Sequence, residues 1–161
     1  MTSRGRTSTT TGIAPADPER TFDILTPSDP ARFYTKFRVV PATIGVEGQT
    51  GAWDAVDQTR TLLLSDGSSV RETTTDVERP GYFAYELTEF TKVFGRIVDH
   101  ARAEWRFEAV AGGTLITWTY TFFGKPGRGW IVGLIVDLVW AAYMRRVMPE
   151  LVEEVDRLTA S

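Results

Sequence analysis

The chain has 161 residues, of which 42% are hydrophobic, 24% charged and 12% aromatic, and its formal net charge is −3. This is enough apolar material for one core, and the slight negative charge argues against a nucleic-acid partner. Because the chain contains no cysteine, disulfides, thiolate nucleophiles and cysteine-based zinc sites are excluded. The amino terminus lacks the apolar stretch of a signal peptide, so we expect a soluble, cytoplasmic protein.

The amino-terminal part predicts one strand followed by two short helices. Residues 1–6 are expected to form a disordered tail, and residues 7–161 a single domain. β-Branched residues favour a strand over residues 7–13. An N-cap acid followed by proline, Asp17-Pro18, predicts a helix through residue 25. Asp29-Pro30 repeats this signal and predicts a second short helix through residue 37.

A meander of strands is predicted for the middle of the chain. The glycines and Pro41 within residues 39–51 indicate an irregular connection, and the turn residues at 65–68 indicate a hairpin. Strands linked by hairpins pair antiparallel, so these segments and the first strand predict one curved sheet of six to seven strands. The predicted strands after the first one cover residues 53–56, 59–64, 70–77, 82–90, 97–110 and 114–123.

The chain ends in a long predicted helix, residues 129–158. Residues 130–144 are apolar at every position except Asp137, and the rest of the helix is amphipathic. A run of about 15 apolar residues is too short to span a bilayer, so the sheet must surround it. Pro149 removes one backbone donor and is expected to bend the helix. The sequence therefore predicts an α+β fold, with a long helix in the hollow of the sheet.

Alternation along the last three predicted strands assigns their apolar side chains to the hollow. The small Ala101 and Ala103 stand beside large rings and are expected to leave room for a ligand, although the same rings can instead fill the core. The predicted ligand-binding residues are Tyr85, Leu87, Phe90, Phe94, Ala101, Ala103, Trp105, Phe107, Trp118, Tyr120, Trp140, Tyr143 and Met144.

Several short segments resemble a known family. Ile13-Ala14-Pro15 leads into Pro-Glu-Arg-Thr-Phe-Asp-Ile-Leu at residues 18–25, and Leu-Ser-Asp-Gly-Ser follows at residues 64–68. Trp-Arg-Phe at residues 105–107 and Gly-Thr-Leu-Ile-Thr-Trp at residues 113–118 close the sheet. On these segments, residues 10–158 resemble the START-like (SRPBCC, Bet v 1-like) superfamily, in its bacterial polyketide cyclase/dehydrase-related branch.

The resemblance implies the helix-grip fold, with a cavity between sheet and helix that accepts lipids, polyketides or aromatic molecules. Some members of the superfamily are cyclases or dehydratases, and others only bind or carry a ligand. The leading hypothesis is therefore binding of a small hydrophobic ligand. The alternatives are a cyclase/dehydratase without a metal or nucleotide cofactor, and a lipid-transfer or partner-binding protein that uses the exposed helix end. No catalytic motif comes with the resemblance.

Three acids are candidates for proton transfer. On a straight helix Asp137 falls near the inward side, where an apolar environment would raise its pKa; the alternative is a bend that leaves it at the cavity mouth or paired with an arginine. Glu89 and Asp99 flank the connection 90–98 and are candidates for an acid/base pair, the alternative being ordinary charges at strand ends. The connection itself, with Phe94 near its tip, is an expected gate.

Other classes of site find less support. The alternation along its strand places His100, the only histidine, on the solvent-exposed face of the sheet, so neither a catalytic nor a metal-binding role is expected. The chain has no phosphate-binding glycine loop of known spacing and no serine nucleophile elbow. The basic segment 124–129, together with Arg145 and Arg146, leaves docking on an anionic membrane surface as a minor alternative. The expected partner is a small hydrophobic ligand, without cofactor, metal or nucleic acid, in a monomer or homodimer.

Overall fold

A curved, seven-stranded antiparallel sheet dominates the computed structural model, which describes residues 5–160. The strand order is β1-β7-β6-β5-β4-β3-β2. This arrangement confirms the predicted α+β helix-grip fold. The strands are β1 Arg6–Ala14, β2 Thr43–Glu47, β3 Thr59–Leu64, β4 Ser69–Glu78, β5 Tyr82–Thr88, β6 Val98–Val110 and β7 Gly113–Gly124.

The two longest strands, β6 and β7, carry most of the rings in the hollow. Their inward side chains alternate as predicted, and small residues lie opposite large ones: Ala103 pairs with Tyr120 in the ladder, and Trp105 pairs with Trp118. The two indole rings stack with centroids 4.7 Å apart and planes 13° apart. Cross-strand ring pairs of this kind stabilise a sheet beyond their burial alone.

The helix α1, Pro18–Leu25, lies at the end of the sheet where β6 joins β7. Its start is the predicted one, since the Asp17 carboxylate accepts a hydrogen bond from the Arg20 amide at 2.8 Å. On the buried side, Phe22 meets Phe83 and Phe107 edge-to-face, with centroids 6.2 and 5.5 Å away. These contacts anchor the helix over one end of the hollow.

The second predicted helix is wrong in length. Asp29 accepts a hydrogen bond from the Ala31 amide, as a cap should, but only one 3₁₀ turn, Pro30–Arg32, follows. The chain then forms a tight turn in which Phe37 bridges to Val40 and Arg38 takes a left-handed conformation, φ 52°. The helix does not extend to residue 37, and the Tyr34 carbonyl accepts from the Thr43 amide at 2.8 Å in place of a donor one helical turn later.

Three other local predictions need correction. The predicted irregular segment 39–51 contains β2, which forms the edge of the sheet. The predicted strand 53–56 is a turn, because Trp53 and Asp57 have positive φ values of 63° and 67°. Of the predicted tail, Arg6 belongs to β1, and residues 1–4 lie outside the described part of the chain.

The C-terminal helix runs through the hollow in three consecutive segments: α2 Gly129–Ile135, a π-helical turn Val136–Trp140, and α3 Ala141–Thr159. It crosses β1 at very short distance, since a Cβ built on Gly12 would lie 2.8 Å from Met148 Cγ. Glycine at this position thus lets helix and sheet meet. Within residues 5–160, no helix has the length and hydropathy to cross a membrane.

The π turn changes which side chains of the helix face inward. On a regular α-helix, residues seven positions apart lie on nearly the same face. The fully buried Met144 would therefore place Asp137 on the inward side. A π turn accommodates one extra residue, so the helix before it is rotated. The inward positions there are Val132 and Val136, which are both buried, and Asp137 is exposed.

Candidate functional site

A cavity lies between the concave face of the sheet, the end of α1 and the middle of α3. Its volume is about 40 Å³, room for about three water molecules and far less than the several hundred Å³ of a typical ligand pocket. Rings dominate its walls, and a few polar side chains interrupt them. The lining residues are Leu25, Thr26, Ser28, Pro30, Phe33, Tyr34, Trp53, Arg60, Phe83, Tyr85, Trp105, Phe107 and Leu151.

One wall of the cavity is an irregular stretch of chain, residues 26–34, which we call the covering segment. It follows α1 and contains a single 3₁₀ turn as its only regular structure. Arg32 in this turn forms an ion pair with Glu154 of α3, Nη2 to Oε1 2.6 Å, and Arg157 also binds this carboxylate. The hydrogen bonds from Arg157, followed by those from Arg32, lower the pKa of Glu154. One carboxylate therefore fastens the covering segment to the helix.

The opposite wall contains a buried ion pair between neighbouring strands. Arg60 of β3 and Glu72 of β4 are paired in the ladder, and Arg60 Nε donates to Glu72 Oε1 at 2.7 Å. Arg60 is 6% exposed and Glu72 is 2% exposed. Trp53 covers the guanidinium, with its ring centroid 3.9 Å from Arg60 Cζ, a cation–π contact. Burial raises the pKa of Glu72 more than the neighbouring arginine lowers it.

Tyrosine hydroxyls surround this pair. Tyr34 and Tyr85 line the cavity, and Tyr120 lies next to them in the core. Burial is the main reason why the pKa values of all three phenols lie well above the ordinary range, and the charge of Glu72 raises them further. At neutral pH the three hydroxyls are therefore protonated and able to donate hydrogen bonds.

The predicted ligand-binding residues divide into two groups. Tyr85, Trp105 and Phe107 line the cavity. The others pack outside it: Leu87, Phe90, Phe94, Ala101, Ala103, Trp118, Tyr120, Trp140, Tyr143 and Met144. Their rings fill the space that the small alanines leave, because Tyr120 contacts Trp140 at 4.9 Å and Trp140 contacts Tyr143 at 5.1 Å between centroids. The core interpretation of these rings fits the geometry better than the cavity interpretation.

The predicted gate, the connection between β5 and β6, is packed against the core at some distance from the cavity. It contains a 3₁₀ turn, Phe94–Arg96, and Phe94 stacks edge-on against Phe90 and Phe122. A Cβ on Gly95 would lie 2.0 Å from the Phe90 carbonyl oxygen, so the turn is tightly closed on itself. None of its residues lines the cavity, which lies behind the covering segment instead.

The expectation that Asp137 faces the interior is wrong. Its carboxylate binds the Arg6 side chain, Oδ1 to Nε 3.0 Å, with a second hydrogen bond from Arg6 Nη2 to Oδ2. The side chain is 45% exposed. The Arg6 hydrogen bonds lower the pKa of Asp137, which is the reverse of the shift expected for an acid in an apolar cavity. Asp137 is instead paired with an arginine, as the alternative interpretation stated, and the π turn is the reason that it lies there.

The expectation that Glu89 and Asp99 face the interior is also wrong. Glu89 follows the last residue of β5, has a positive φ of 55°, and is mostly exposed near Arg71. Asp99 is the extra residue of a β-bulge between Val98 and His100, and the bulge turns its side chain outward. A catalytic role for either acid therefore lacks the geometry on which the prediction depended.

His100 lies on the outer face of the sheet, as predicted. Its Nδ1 is 2.7 Å from Asp99 Oδ2, and its ring stacks on Phe123 with centroids 4.3 Å apart. Across residues 5–160, no group of three histidine, aspartate or glutamate side chains is arranged to hold a metal ion.

The residues that sequence reasoning missed are Arg60 and Glu72, with Tyr34 and Trp53 beside them. Both charged residues lie in predicted strands, and the alternation of buried and exposed positions shows which face of the sheet each side chain occupies. Positions 60 and 62 of β3 and positions 70, 72 and 74 of β4 are buried, so the charged side chains share a face with Leu62 and Val70. A charge in phase with buried apolar neighbours is a signal that the sequence carries.

Comparison with known proteins places this geometry in a family. The family described as "Polyketide cyclase / dehydrase and lipid transport" matches residues 4–156. The chain belongs to this family. The predicted membership of the START-like, Bet v 1-like superfamily is thereby confirmed. No curated protein matches the chain.

Solved structures share the fold of this polyketide cyclase / dehydrase and lipid transport family member at low sequence identity. Truncated norcoclaurine synthase from Thalictrum flavum superposes with a TM-score of 0.69 at 11% identity, covering 100% of this chain and 98% of that one. The di-domain ARO/CYC StfQ from the steffimycin biosynthetic pathway gives 0.69 at 10% identity, covering 98% and 53%. Ara h 8.0201 gives 0.61 at 16% identity, covering 93% and 99%. These likenesses establish the fold alone.

Proposed function

We propose that the protein binds a small, largely apolar molecule, aromatic or polyketide-like, in the cavity beneath the covering segment. The observation that carries this proposal is the composition of the walls, which are rich in aromatic rings and include a few polar side chains, among them Arg60. Such an arrangement is typical of sites that bury an apolar body and orient it through a few polar atoms. Family membership supports the same class of ligand.

The size of the cavity adds a condition to the proposal. With a volume of about 40 Å³, the closed structure holds only a few waters, so a ligand enters only after one wall moves. The covering segment is the wall that can move, because it has little regular structure and one ion pair to α3 at Glu154. The sheet and α3 are continuous hydrogen-bonded elements and provide the rigid walls.

Binding is tested with a neutral fluorescent naphthalene, N-phenyl-1-naphthylamine, titrated into the purified protein. We expect saturable binding, which Leu151→Phe weakens because the larger ring fills the cavity. Leu134→Phe is the matched control, because Leu134 is exposed on α2 and lies outside the cavity. Absence of saturable binding to the unaltered protein, or equal weakening by both substitutions, would refute the proposal. Native mass spectrometry of the purified protein would identify a ligand that stays bound.

A second candidate function is cyclisation or dehydration of such a ligand, and Glu72 favours it. This carboxyl is buried next to the cavity-lining Arg60, burial raises its pKa, and its charge acts on the nearby Tyr34 and Tyr85, and perturbed buried acids of this kind are candidates for proton transfer. The test is incubation with a short poly-β-carbonyl thioester, with loss of water followed by mass spectrometry. Turnover that Glu72→Gln abolishes in a folded variant would support an enzyme, and binding without turnover would leave the carrier function.

A further inference from the structure

We infer that the cavity recognises an anionic oxygen of its ligand, a carboxylate or an enolate on an aromatic body, through the free guanidinium donors of Arg60. This inference rests on the proposed binding function and adds the chemical class of the ligand. Its basis is the arrangement of hydrogen-bond donors around one buried side chain.

Arg60 has more donors than the protein uses. A guanidinium carries five N–H groups, and within residues 5–160 only Nε has a partner, Glu72 Oε1 at 2.7 Å. The buried polar atoms left without a partner in this part of the chain are the Nε1 atoms of Trp53, Trp118 and Trp140. The two terminal nitrogens of Arg60 are not among them, so they keep some accessible surface, and Arg60 is a lining residue of the cavity.

The surroundings hold those donors in place. The ring of Trp53 covers one face of the guanidinium at 3.9 Å, and Glu72 fixes its Nε edge. The terminal nitrogens are left for the cavity that Arg60 lines, and we infer that a ligand oxygen binds there. A planar guanidinium with a free edge binds a carboxylate through two parallel hydrogen bonds. The geometry therefore suits a planar anion better than a neutral apolar molecule.

Two neutral donors complete the site. Tyr34 and Tyr85 line the same cavity, and their raised pKa values keep their hydroxyls protonated. A protonated phenol donates to an anion without adding a negative charge beside it. An ion pair with a purely structural role would require neither a free guanidinium edge nor a cavity beside it. A buried pair alone also adds little stability, so stability by itself does not account for this arrangement.

Two probes that differ by one charged group test this inference. 1-Anilinonaphthalene-8-sulfonate and N-phenyl-1-naphthylamine share the same rings, and only the first carries an anionic group. We expect the anionic probe to bind about tenfold to a hundredfold more tightly, as charge-assisted hydrogen bonds predict. Binding of the neutral probe alone would uphold the proposed function and overturn the inference, and failure of both probes would overturn both.

Variants of the ion pair test whether Arg60 is responsible for the preference for the anionic probe. Arg60→Met combined with Glu72→Met removes both charges, so neither is left buried and unpaired, and the double variant is expected to fold. It should bind the neutral probe as before and lose the preference for the sulfonate. Arg71→Met is the control, because Arg71 lies on the neighbouring strand with an exposed side chain. A sulfonate preference that survives in the double variant would overturn the inference.

A separate observation, an exposed apolar stripe on the long helix, carries a second proposal. Trp130, Leu134 and Leu138 follow one another at four-residue spacing and are 69%, 52% and 65% exposed. Val39 is 79% exposed, and its neighbour Arg38 donates to the Leu138 carbonyl oxygen at 3.5 Å. Apolar side chains this exposed and this regularly spaced indicate a surface that meets an apolar partner.

The charges around the stripe are positive. Lys125 and Arg128 precede the helix, and Arg38 and Arg145 flank its first half with exposed side chains. The carboxylate of Asp137 is neutralised by Arg6. The second half of the helix carries Glu150, Glu153, Glu154 and Asp156, so the positive charge is concentrated at the end with the exposed tryptophan. We propose that this end docks on an anionic lipid surface, with Trp130 at the interface.

Vesicle sedimentation tests the docking. The protein should bind vesicles that contain phosphatidylglycerol, bind phosphatidylcholine vesicles weakly, and release with added salt. Replacing Trp130, Leu134 and Leu138 together with serine should abolish binding. Ile13→Ser is the control, because Ile13 is equally exposed at the opposite end of β1 from Arg6. No binding to anionic vesicles, or a dimer that the triple variant breaks, would overturn the proposal, the latter in favour of a second copy of the chain.

Discussion

Arg60 and Glu72 lie directly opposite each other on β3 and β4, and their side chains form an ion pair on the inner face of the sheet. Both charges are almost completely buried, so each depends on the other. Arg60 of this pair lines the cavity, so the pair connects the packing of two strands with the candidate site.

A mutant cycle on this pair should be strongly non-additive. Arg60→Met and Glu72→Met alone should each lower the free energy of unfolding by about 3–5 kcal/mol, because each leaves one buried charge unpaired. The double variant should cost less than either single change. Urea unfolding of the four proteins measures the cycle. Additive losses would show that the pair is open to water and would contradict the buried geometry.

The ion pair between Arg32 and Glu154 should control the opening of the covering segment. Arg32→Met should increase amide hydrogen exchange in residues 26–34, since it removes the link to α3. Arg79→Met, which breaks an exposed pair with Asp23 away from the segment, is the control and should leave this exchange unchanged. Equal exchange in both variants would mean that packing alone holds the segment closed.

Acid should open the covering segment in the same way. The pKa of Glu154 is lower in the folded protein than the ordinary value of 4.5, so the unfolded state takes up this proton first. The stabilisation is then complete above the ordinary pKa and is lost as pH falls through the lowered one. The protection factors of the amides in residues 26–34, which compare exchange with the intrinsic rate at each pH, should fall over that range, and Glu154→Gln should remove this fall. A pH dependence that persists in the variant would assign it to another group.

Asp137→Asn should leave ligand binding unchanged. Its carboxylate is paired with Arg6 on the protein surface and does not reach the cavity. Any loss of stability should be small and should shrink at high salt, because ions screen an exposed pair. Arg6→Met should reproduce the same effect. Loss of probe binding in folded Asp137→Asn would show that the helix rotates in solution and brings this residue inward.

The hairpin between β6 and β7 should tolerate a side chain at Gly112 better than at Gly113. Both glycines have positive φ values, 88° and 143°, so both substitutions carry backbone strain. A Cβ on Gly113 would also lie 1.9 Å from the Ala14 carbonyl oxygen, whereas none of the atoms described lies within 4 Å of one on Gly112. Gly113→Ala should therefore lower the urea midpoint more than Gly112→Ala, and equal losses would contradict the close approach of β1.

Sequence patterns alone were sufficient for the architecture. The alternation of β6 and β7, the Asp17-Pro18 helix start and the length of the last helix depend on residues near one another in the chain. Each of these predictions agrees with the structure. The buried faces of β3 and β4 were equally readable, and their alternation would have identified Arg60 and Glu72 as inward charges.

Only the tertiary structure decided where the acids point and how much space remains inside. A π turn rotates Asp137 and a bulge turns Asp99, and each is a single extra residue that periodicity cannot locate. The rings of Trp118, Tyr120 and Trp140 fill the hollow because they pack against one another between β7 and the long helix. The composition gives the number of aromatic rings, but only the contacts between the rings determine whether they enclose a cavity. Here the cavity is small and lies beside Arg60.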